Sequence, residues 1–152
     1  MLNNKIEIRT IEKKDLEKVH FLMQKLAEFE GYSDKFCVTV DSISEAVFEQ
    51  QKLEILVACI NEEVEGICVF YTLPFTYDLK PWFYLKELFV SNKHRSLGLG
   101  NALMSELITT SKRRGVSKIR WEVLKTNLSA IEFYQCFGSQ SEAEWSLYSL
   151  TP

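Results

Sequence analysis

The chain has 152 residues, of which 46% are hydrophobic and 26% are charged, and its formal net charge is −3. This length fits one domain, over residues 1–152, whose core needs neither disulfides nor a metal. The slightly acidic balance argues against nucleic acid as a partner, because nucleic-acid binding requires concentrated positive charge.

Cysteines and apolar runs narrow the class of protein further. The four cysteines lie far apart and form no metal-like cluster with the two histidines; they are Cys37, Cys59, Cys68 and Cys136. We therefore predict reduced thiols in a cytoplasmic protein and no metal site. No apolar run is long enough to span a membrane, and the first residues lack the apolar core of a signal peptide, so no membrane partner is expected.

The first half of the chain shows one strand, two helices and a strand pair. Alternating apolar and polar residues indicate strands, and apolar residues at helical spacing indicate helices. The predicted elements are a strand at Lys5–Thr10, helices at Glu12–Phe29 and Asp41–Gln51, and antiparallel strands at Leu53–Ile60 and Val64–Leu73. Gly31 is expected to end the first helix, and Asp41 to cap the second.

The second half alternates strands and helices. Its predicted elements are a strand at Tyr84–Val90, a helix that opens at Asn101 and runs to Arg114, a strand at Val116–Leu124, a helix at Ser129–Phe137 and a closing strand at Trp145–Leu150. Strands joined through a helix are expected to be parallel. The whole order predicts an α/β protein with a mixed sheet and helices on both faces.

The segment Arg95–Gly100 lies between a predicted strand and a predicted helix, an arrangement that binds anions. The first N–H groups of a helix have no partner within it, and the helix dipole adds positive charge there. Gly98 and Gly100 lack a Cβ, so a phosphate can approach the backbone, and Arg95 adds a cation. The pattern is neither G-x-G-x-x-G nor a P-loop. On this segment alone, an ordinary strand–turn–helix corner is the alternative.

Two motifs resemble those of the GNAT acetyltransferases. R-x-x-G-x-G at Arg95–Gly100 is similar to the loop with which that family binds the pyrophosphate of coenzyme A. Asn127, Ala130, Tyr134 and Gly138 are similar to its N-x-x-A-x-x-x-Y-x-x-x-G segment. The order of predicted elements also matches the family. The resemblance covers nearly the whole chain and implies a GNAT fold with acetyl-CoA as co-substrate and no metal.

Three further stretches and Trp145 resemble the diamine (spermidine/spermine) acetyltransferase branch. The stretches are Leu26–Glu30, Phe75–Asp78 and Tyr84–Val90. This resemblance implies a small diamine or polyamine as acceptor and a homodimer formed through the C-terminal region. Lys86 departs from the branch, which has at that position a glutamate that helps deprotonate the amine.

The resemblance also implies roles for residues around the coenzyme. Tyr134 stands at the family's general-acid position and would donate a proton to the leaving thiolate. Backbone N–H groups of Leu88–Val90 would polarise the thioester carbonyl. The residues implied in coenzyme binding are Leu88, Phe89, Val90, Arg95, Ser96, Leu97, Gly98, Leu99, Gly100, Asn101, Asn127, Ser129, Ala130 and Tyr134.

Glu87 is the candidate proton acceptor, because an alkylammonium is mostly protonated at pH 7 and must lose a proton before it can attack. Adjacent strand residues point to opposite faces, so Glu87 takes the place of the branch's glutamate only if a bulge intervenes. Lys86 either extends into solvent or faces the acceptor, where it would favour an amine that carries a carboxylate. The residues implied at the acceptor are Phe29, Glu30, Asp78, Lys86, Glu144 and Trp145.

These inferences predict an acetyl-CoA-dependent N-acetyltransferase that transfers the acetyl group directly to a small-molecule primary amine. No cysteine motif suggests a covalent acetyl-enzyme. One alternative is a GNAT enzyme that acts on an amino acid, an aminoglycoside or a peptide amine. Another is a non-catalytic module that binds acyl-CoA and regulates a partner.

Overall fold

The computed structural model describes residues 5–152, which form two compact units. The first unit ends at Trp121 and the second is Glu122–Pro152, and each is described by itself. The first unit contains a five-stranded sheet in the order β1-β2-β3-β4-β5. The strands are β1 Ile6–Thr10, β2 Glu54–Ile60, β3 Glu63–Pro74, β4 Pro81–Val90 and β5 Lys118–Trp121.

Strand directions agree with the predicted topology. The first four strands are antiparallel to their neighbours, whereas β4 and β5 are parallel and are joined through a helix. The β4–β5 ladder covers only Trp82–Leu85 of β4 and ends where Leu85 pairs with Trp121. The segment Lys86–Val90 therefore has β3 as its strand partner on one side and, among residues 5–152, no strand on the other.

Two helices separate β1 from β2. A 3-10 turn at Lys13–Asp15 leads into α1, Leu16–Glu30, which Gly31 follows as predicted. The second helix, α2, is Val40–Ser44 and continues as a π-helical turn over residues 45–49. The prediction of Asp41 as its N-cap is wrong. Thr39 is the cap, because its hydroxyl accepts the Ser42 N–H while Ser42 receives the Thr39 N–H in return.

The helix after β4 begins earlier than predicted. It is α3, Leu99–Arg113, with Gly98 as its N-cap. Leu99 is almost fully buried, so packing extends the helix back into the glycine loop. The strand that follows is shorter than the predicted Val116–Leu124, because its ladder with β4 contains only Lys118–Trp121.

The sheet has helices on both faces, as predicted. Apolar side chains of α1 pack with one face of β2, β3 and β4, which includes Val57, Val69 and Phe89. On the other face, α3 packs so close to β3 that a Cβ at Gly66 would lie 3.2 Å from Leu103 Cδ1. Leu103 itself is fully buried, and burial of such a side chain contributes about 1.5–3 kcal/mol to stability.

The second unit contains α4, Leu128–Gln135, capped by the Asn127 side chain, which accepts the Ala130 N–H at 3.2 Å. The prediction of a closing strand at residues 145–150 is wrong, because that segment is irregular in the structure. Its alternating pattern defines two faces, but a strand also needs a neighbour for its N–H and C=O groups. Trp145 and Tyr148 are instead 77% and 90% exposed.

Candidate active site

The glycine loop presents unpaired backbone donors at the start of α3. The first helical hydrogen bond runs from the Ala102 N–H to the Gly98 carbonyl at 2.9 Å, so the N–H groups of residues 99–101 have no partner within the helix. The first turn of α3 carries no acidic side chain. Gly98 has a φ of 81°, and a Cβ there would meet nothing within 4 Å. The loop is therefore open to an anion, and its role in binding a pyrophosphate stays a prediction.

Arg95 lies on two aromatic rings beside this loop. Its guanidinium carbon is 5.3 Å from the centroid of Phe29 and 5.7 Å from that of Phe89. Cation–π contacts of this kind hold the charge in place without neutralising it. The structure thus brings Phe29, predicted at the acceptor, next to the loop that is predicted to bind the coenzyme. The other predicted loop residues lie in the same corner: Ser96, Leu97, Gly98, Leu99, Gly100 and Asn101.

A β-bulge interrupts β4 at Lys86. Val69 pairs with Glu87, while the next residue of β3, Phe70, pairs with Leu85, so Lys86 is the extra residue. Val69 faces α1, and its cross-strand partner Glu87 therefore does so too. Glu87 is expected to take the place of the branch's glutamate only if a bulge intervenes, and the structure contains that bulge.

Lys86 lies on the same side of the sheet as Glu87. Its ammonium is 5.9 Å from the ring centroid of Tyr84, and Tyr84 stacks on Tyr71 with centroids 5.3 Å apart. Tyr71 shares a face with Val69, because the two are separated by one residue in β3. Two neighbours in sequence thus present a carboxylate and an ammonium to one side of the sheet.

Glu87 is a half-buried carboxylate whose pKa is raised to about 7. Burial is the main cause, repulsion by Glu30 adds to it, and the charge of Lys86 opposes it. The Oε2 atom is buried and has no hydrogen-bond partner. A carboxyl group with a pKa near 7 is suited to exchange protons at neutral pH.

Glu30 and Tyr32 complete a cluster around Glu87. Burial raises the pKa of Glu30, and the charge of Lys86 opposes this rise. Burial, Glu87 and Glu30 together raise the pKa of Tyr32 to about 12, so its hydroxyl stays protonated. We call Glu30, Tyr32, Lys86 and Glu87 the Glu87 cluster. Sequence reasoning missed Tyr32, since its only signal is its place just after Glu30 at the end of α1.

Asp78 lies in an aromatic loop between β3 and β4. Its carboxylate accepts the Lys80 N–H at 2.9 Å, which stabilises the turn. In the same loop, the Phe75 ring stacks on Trp82 with centroids 3.9 Å apart, and Tyr77 contacts both rings edge-on. The hydrogen bond of the Asp78 carboxylate therefore lies within the loop. The role of Asp78 at the acceptor stays a prediction.

The second unit carries the remaining predicted residues. The helix α4, which Asn127 caps at its N-terminus, contains Ser129, Ala130 and Tyr134. The Tyr134 ring contacts the Phe133 ring, with centroids 5.2 Å apart. Glu144 and Trp145 follow the helix as exposed residues. Their implied roles with coenzyme and acceptor stay predictions.

Within residues 5–152, no three or more His, Cys, Asp or Glu side chains group in a way that could hold a metal ion. Over the same part of the chain, every helix is too short or too polar to cross a membrane.

Curated relatives are enzymes that acetylate amines. An L-ornithine N5-acetyltransferase from Arabidopsis thaliana is 31% identical over 88 residues, a match that covers 58% of this chain and only 39% of the Arabidopsis enzyme. A thialysine N-epsilon-acetyltransferase from Caenorhabditis elegans is 26% identical over 128 residues, which cover 84% of this chain and 79% of the relative. These matches agree with the resemblance to amine acetyltransferases that the sequence motifs indicate.

Solved structures agree on the fold. An aminoglycoside acetyltransferase from an uncultured soil metagenomic sample superposes with a TM-score of 0.80 at 20% identity, over 99% of this chain and 100% of that one. The model of the acetyltransferase (GNAT) family matches residues 18–138, which is most of the sequence. The two motifs, the mixed sheet and this match lead to one conclusion: the chain belongs to the acetyltransferase (GNAT) family.

Proposed function

We propose that the chain is an acetyl-CoA-dependent N-acetyltransferase whose acceptor is a small primary amine that also carries a carboxylate. The observation that carries the proposal is the bulge in β4, which puts Glu87 and Lys86 on one side of the sheet. Glu87 is then a proton acceptor with a pKa near 7, and Lys86 is a cation beside it. The polyamine acceptor implied by the diamine branch is the competing hypothesis.

Charge in the Glu87 cluster supports this choice of acceptor. The carboxylates of Glu30 and Glu87 attract an ammonium group, whereas Lys86 repels a second ammonium and attracts a carboxylate. Ornithine and thialysine, named for the Arabidopsis and Caenorhabditis relatives, are amino acids with a side-chain amine. A polyamine has cations only and would place one of them near Lys86.

The proposed chemistry assigns a separate task to each group. Acetyl-CoA, when bound, supplies an acetyl thioester that a neutral amine can attack. Glu87 takes the proton that the ammonium group must lose, because its own pKa of about 7 leaves it largely ionised above neutral pH. Tyr134 donates a proton to the departing thiolate, a role that rests on its motif position.

Backbone groups of β4 are proposed to hold the thioester. The segment Leu88–Val90 pairs with β3 on one side, and the β5 ladder has already ended at Leu85. Within residues 5–152 no strand pairs with the other side of this segment, so its backbone N–H groups there can donate to the amides of the coenzyme arm and to the thioester carbonyl oxygen. The glycine loop would hold the pyrophosphate at the other end.

We propose that residues 1–152 act as one catalytic domain, that the protein works in the cytoplasm, and that it forms a homodimer. The exposed apolar residues after α4 support the dimer, since such a group is unusual on a monomer: Trp145, Leu147, Tyr148 and Leu150. Light scattering on the purified protein would give the mass that distinguishes one copy from two.

A Tyr134→Phe variant tests the enzyme against the non-catalytic acyl-CoA-binding module. Calorimetry with coenzyme A measures binding, and mass spectrometry of incubated amines detects acetylated product. An enzyme should keep binding and lose roughly a hundredfold in turnover. If the wild-type protein binds the coenzyme but acetylates no amine, the module is favoured and the enzyme proposal is wrong.

A further inference from the structure

A second bulge lies in β3, at Glu65. Ala58 pairs with Gly66, whereas the next residue of β2, Cys59, pairs with Val64, so Glu65 is the extra residue. Its carboxylate is largely buried, with 14% of the side chain exposed. A bulge re-aims the side chain of its extra residue and is a local feature of the strand. The contacts of Glu65 show which groups this side chain faces.

Glu65 holds the turn that precedes the glycine loop. Its backbone carbonyl accepts the Ser91 N–H at 2.8 Å, and the Ser91 side chain helps to lower the pKa of its carboxylate. The same carboxylate lies 3.3 Å from His94 Nδ1 and 3.5 Å from the Lys18 ammonium. Glu65 thus contacts the first and last residues of the turn Ser91–His94.

The turn is closed on itself as well. The His94 N–H donates to the Ser91 carbonyl at 3.0 Å, and the Ser91 hydroxyl lies 3.1 Å from His94 Nδ1. Burial alone would raise the pKa of Glu65, but Ser91, Lys18 and His94 outweigh it and lower the pKa. The carboxylate therefore stays ionised, and its bonds to the turn are charge-assisted.

The position of this turn determines where the loop begins. Arg95 follows His94 directly, and Ser96 and Gly98 both have positive φ, so the loop is tightly bent between two fixed points. One point is Leu99, buried in the core at the start of α3. The other is the Ser91–His94 turn, which Glu65 ties to β3.

We propose that Glu65 is a positioning residue for the coenzyme loop. It acts through Ser91 and His94, and it sets the direction in which Arg95 and the first N–H groups of α3 face. The inference rests on the proposed function of that loop. It predicts that loss of the Glu65 carboxylate weakens coenzyme binding while the chemistry at the acceptor proceeds unchanged.

Three variants test the role of Glu65. Glu65→Ala removes the carboxylate, Glu65→Gln keeps its size and removes its charge, and Glu63→Ala is the matched control, an exposed glutamate on the same strand. Loss of charge-assisted hydrogen bonds should raise the KM for acetyl-CoA and the Kd for coenzyme A roughly tenfold in Glu65→Ala. The kcat should change less than about twofold, Glu65→Gln should be intermediate, and Glu63→Ala should match the wild type.

Hydrogen exchange in the free protein gives a readout that needs no coenzyme. Amides of residues 92–98 should exchange faster in Glu65→Ala than in the wild type or Glu63→Ala, while amides of α1 should be unchanged. Equal Kd and equal exchange in Glu65→Ala and the wild type would overturn the inference. If the wild type binds no coenzyme A, the proposed function fails, and the coenzyme role of Glu65 fails with it. The two failures differ in whether the wild type binds.

Discussion

Glu87 lies opposite Val69 in the β3–β4 ladder, and the ladder skips Lys86, the residue before it. This single extra residue turns two adjacent side chains to the same side of the sheet. One is a carboxyl group with a pKa of about 7 and the other is an ammonium. Substitutions in this arrangement and in the glycine loop should therefore change activity, stability and coenzyme binding in specific ways.

Replacement of Glu87 by Gln should remove the proton acceptor. The rate should fall roughly a hundredfold at pH 8, because general-base catalysis typically contributes about that much. In the wild type, kcat/KM should rise with pH through about 7 as Glu87 ionises. Thiol release measured from pH 5.5 to 9 would show this step, with those pH limits set roughly by the pKa.

The unbound ammonium substrate also loses its proton at high pH, and this raises the rate independently of Glu87. The informative quantity is therefore the ratio of wild-type to Glu87→Gln rates. That ratio should increase across pH 7 and then level off. Glu63→Gln, at an exposed glutamate of β3, is the control and should follow the wild type at every pH. A ratio independent of pH would rule out Glu87 as the base.

The same substitution should stabilise the fold at alkaline pH. A folded-state pKa raised above 4.5 means that the folded protein holds its proton longer than the unfolded chain. The stability that Glu87 contributes is thus present below pH 4.5 and is lost as the pH rises through about 7. At pH 8, Glu87→Gln should exceed the wild type in free energy of unfolding by up to roughly 3 kcal/mol.

Urea unfolding at pH 5 and pH 8 measures this difference. The gap between the two proteins should be small at the lower pH and larger at the higher one, because the charge that Gln avoids forms only there. A gap of equal size at both values would mean that Glu87 ionises in the folded protein as it does in water.

Lys86→Glu should shift the acceptor preference towards polyamines. The substitution replaces the proposed carboxylate partner with the residue that the diamine branch has at this position. The ratio of kcat/KM for spermidine to that for thialysine should rise about tenfold or more, which corresponds to about 1.4 kcal/mol. Lys112→Glu, at an exposed position in the last turn of α3, makes the same change in net charge and should leave the ratio unchanged.

Gly98→Glu should abolish coenzyme binding. The position has positive φ, so any side chain there costs about 1–2 kcal/mol, and a carboxylate would also meet the pyrophosphate. Gly115→Glu is matched in backbone strain, because Gly115 also has positive φ and open space around it. Calorimetry should therefore show coenzyme binding by Gly115→Glu and none by Gly98→Glu. Binding by both variants would mean that the pyrophosphate does not bind at this loop.

Local features of the site were predictable from the sequence. The R-x-x-G-x-G segment connects a strand to a helix as expected, although α3 begins inside it at Leu99, because a strand pattern, a glycine pair and a helical pattern are each encoded within a few residues. Gly31 likewise marks the end of α1 by its own chemistry. The Asp41 cap was misjudged because Thr39, nearby, offers the same type of oxygen together with a reciprocal Ser42 bond.

Features that depend on distant partners were not predictable. The bulge at Lys86 is a property of the register between β3 and β4, and alternation within β4 alone puts Lys86 and Glu87 on opposite faces. Burial raises the pKa of Tyr32, and Glu87, which lies far away in sequence, raises it further. The strand predicted at Trp145–Leu150 is absent for the same reason. Alternating residues indicate the two faces of a strand, but they do not specify the strand with which it pairs.

Thiol release from acetyl-CoA with a panel of amines tests the central claim most directly. The panel contains thialysine, ornithine, lysine, putrescine, spermidine and an aminoglycoside, and each rate is read against a sample without acceptor. The account predicts the highest kcat/KM with amines that carry a carboxylate. Turnover with polyamines alone would contradict the proposed role of Lys86, and no turnover with any of the amines would contradict the proposed enzyme.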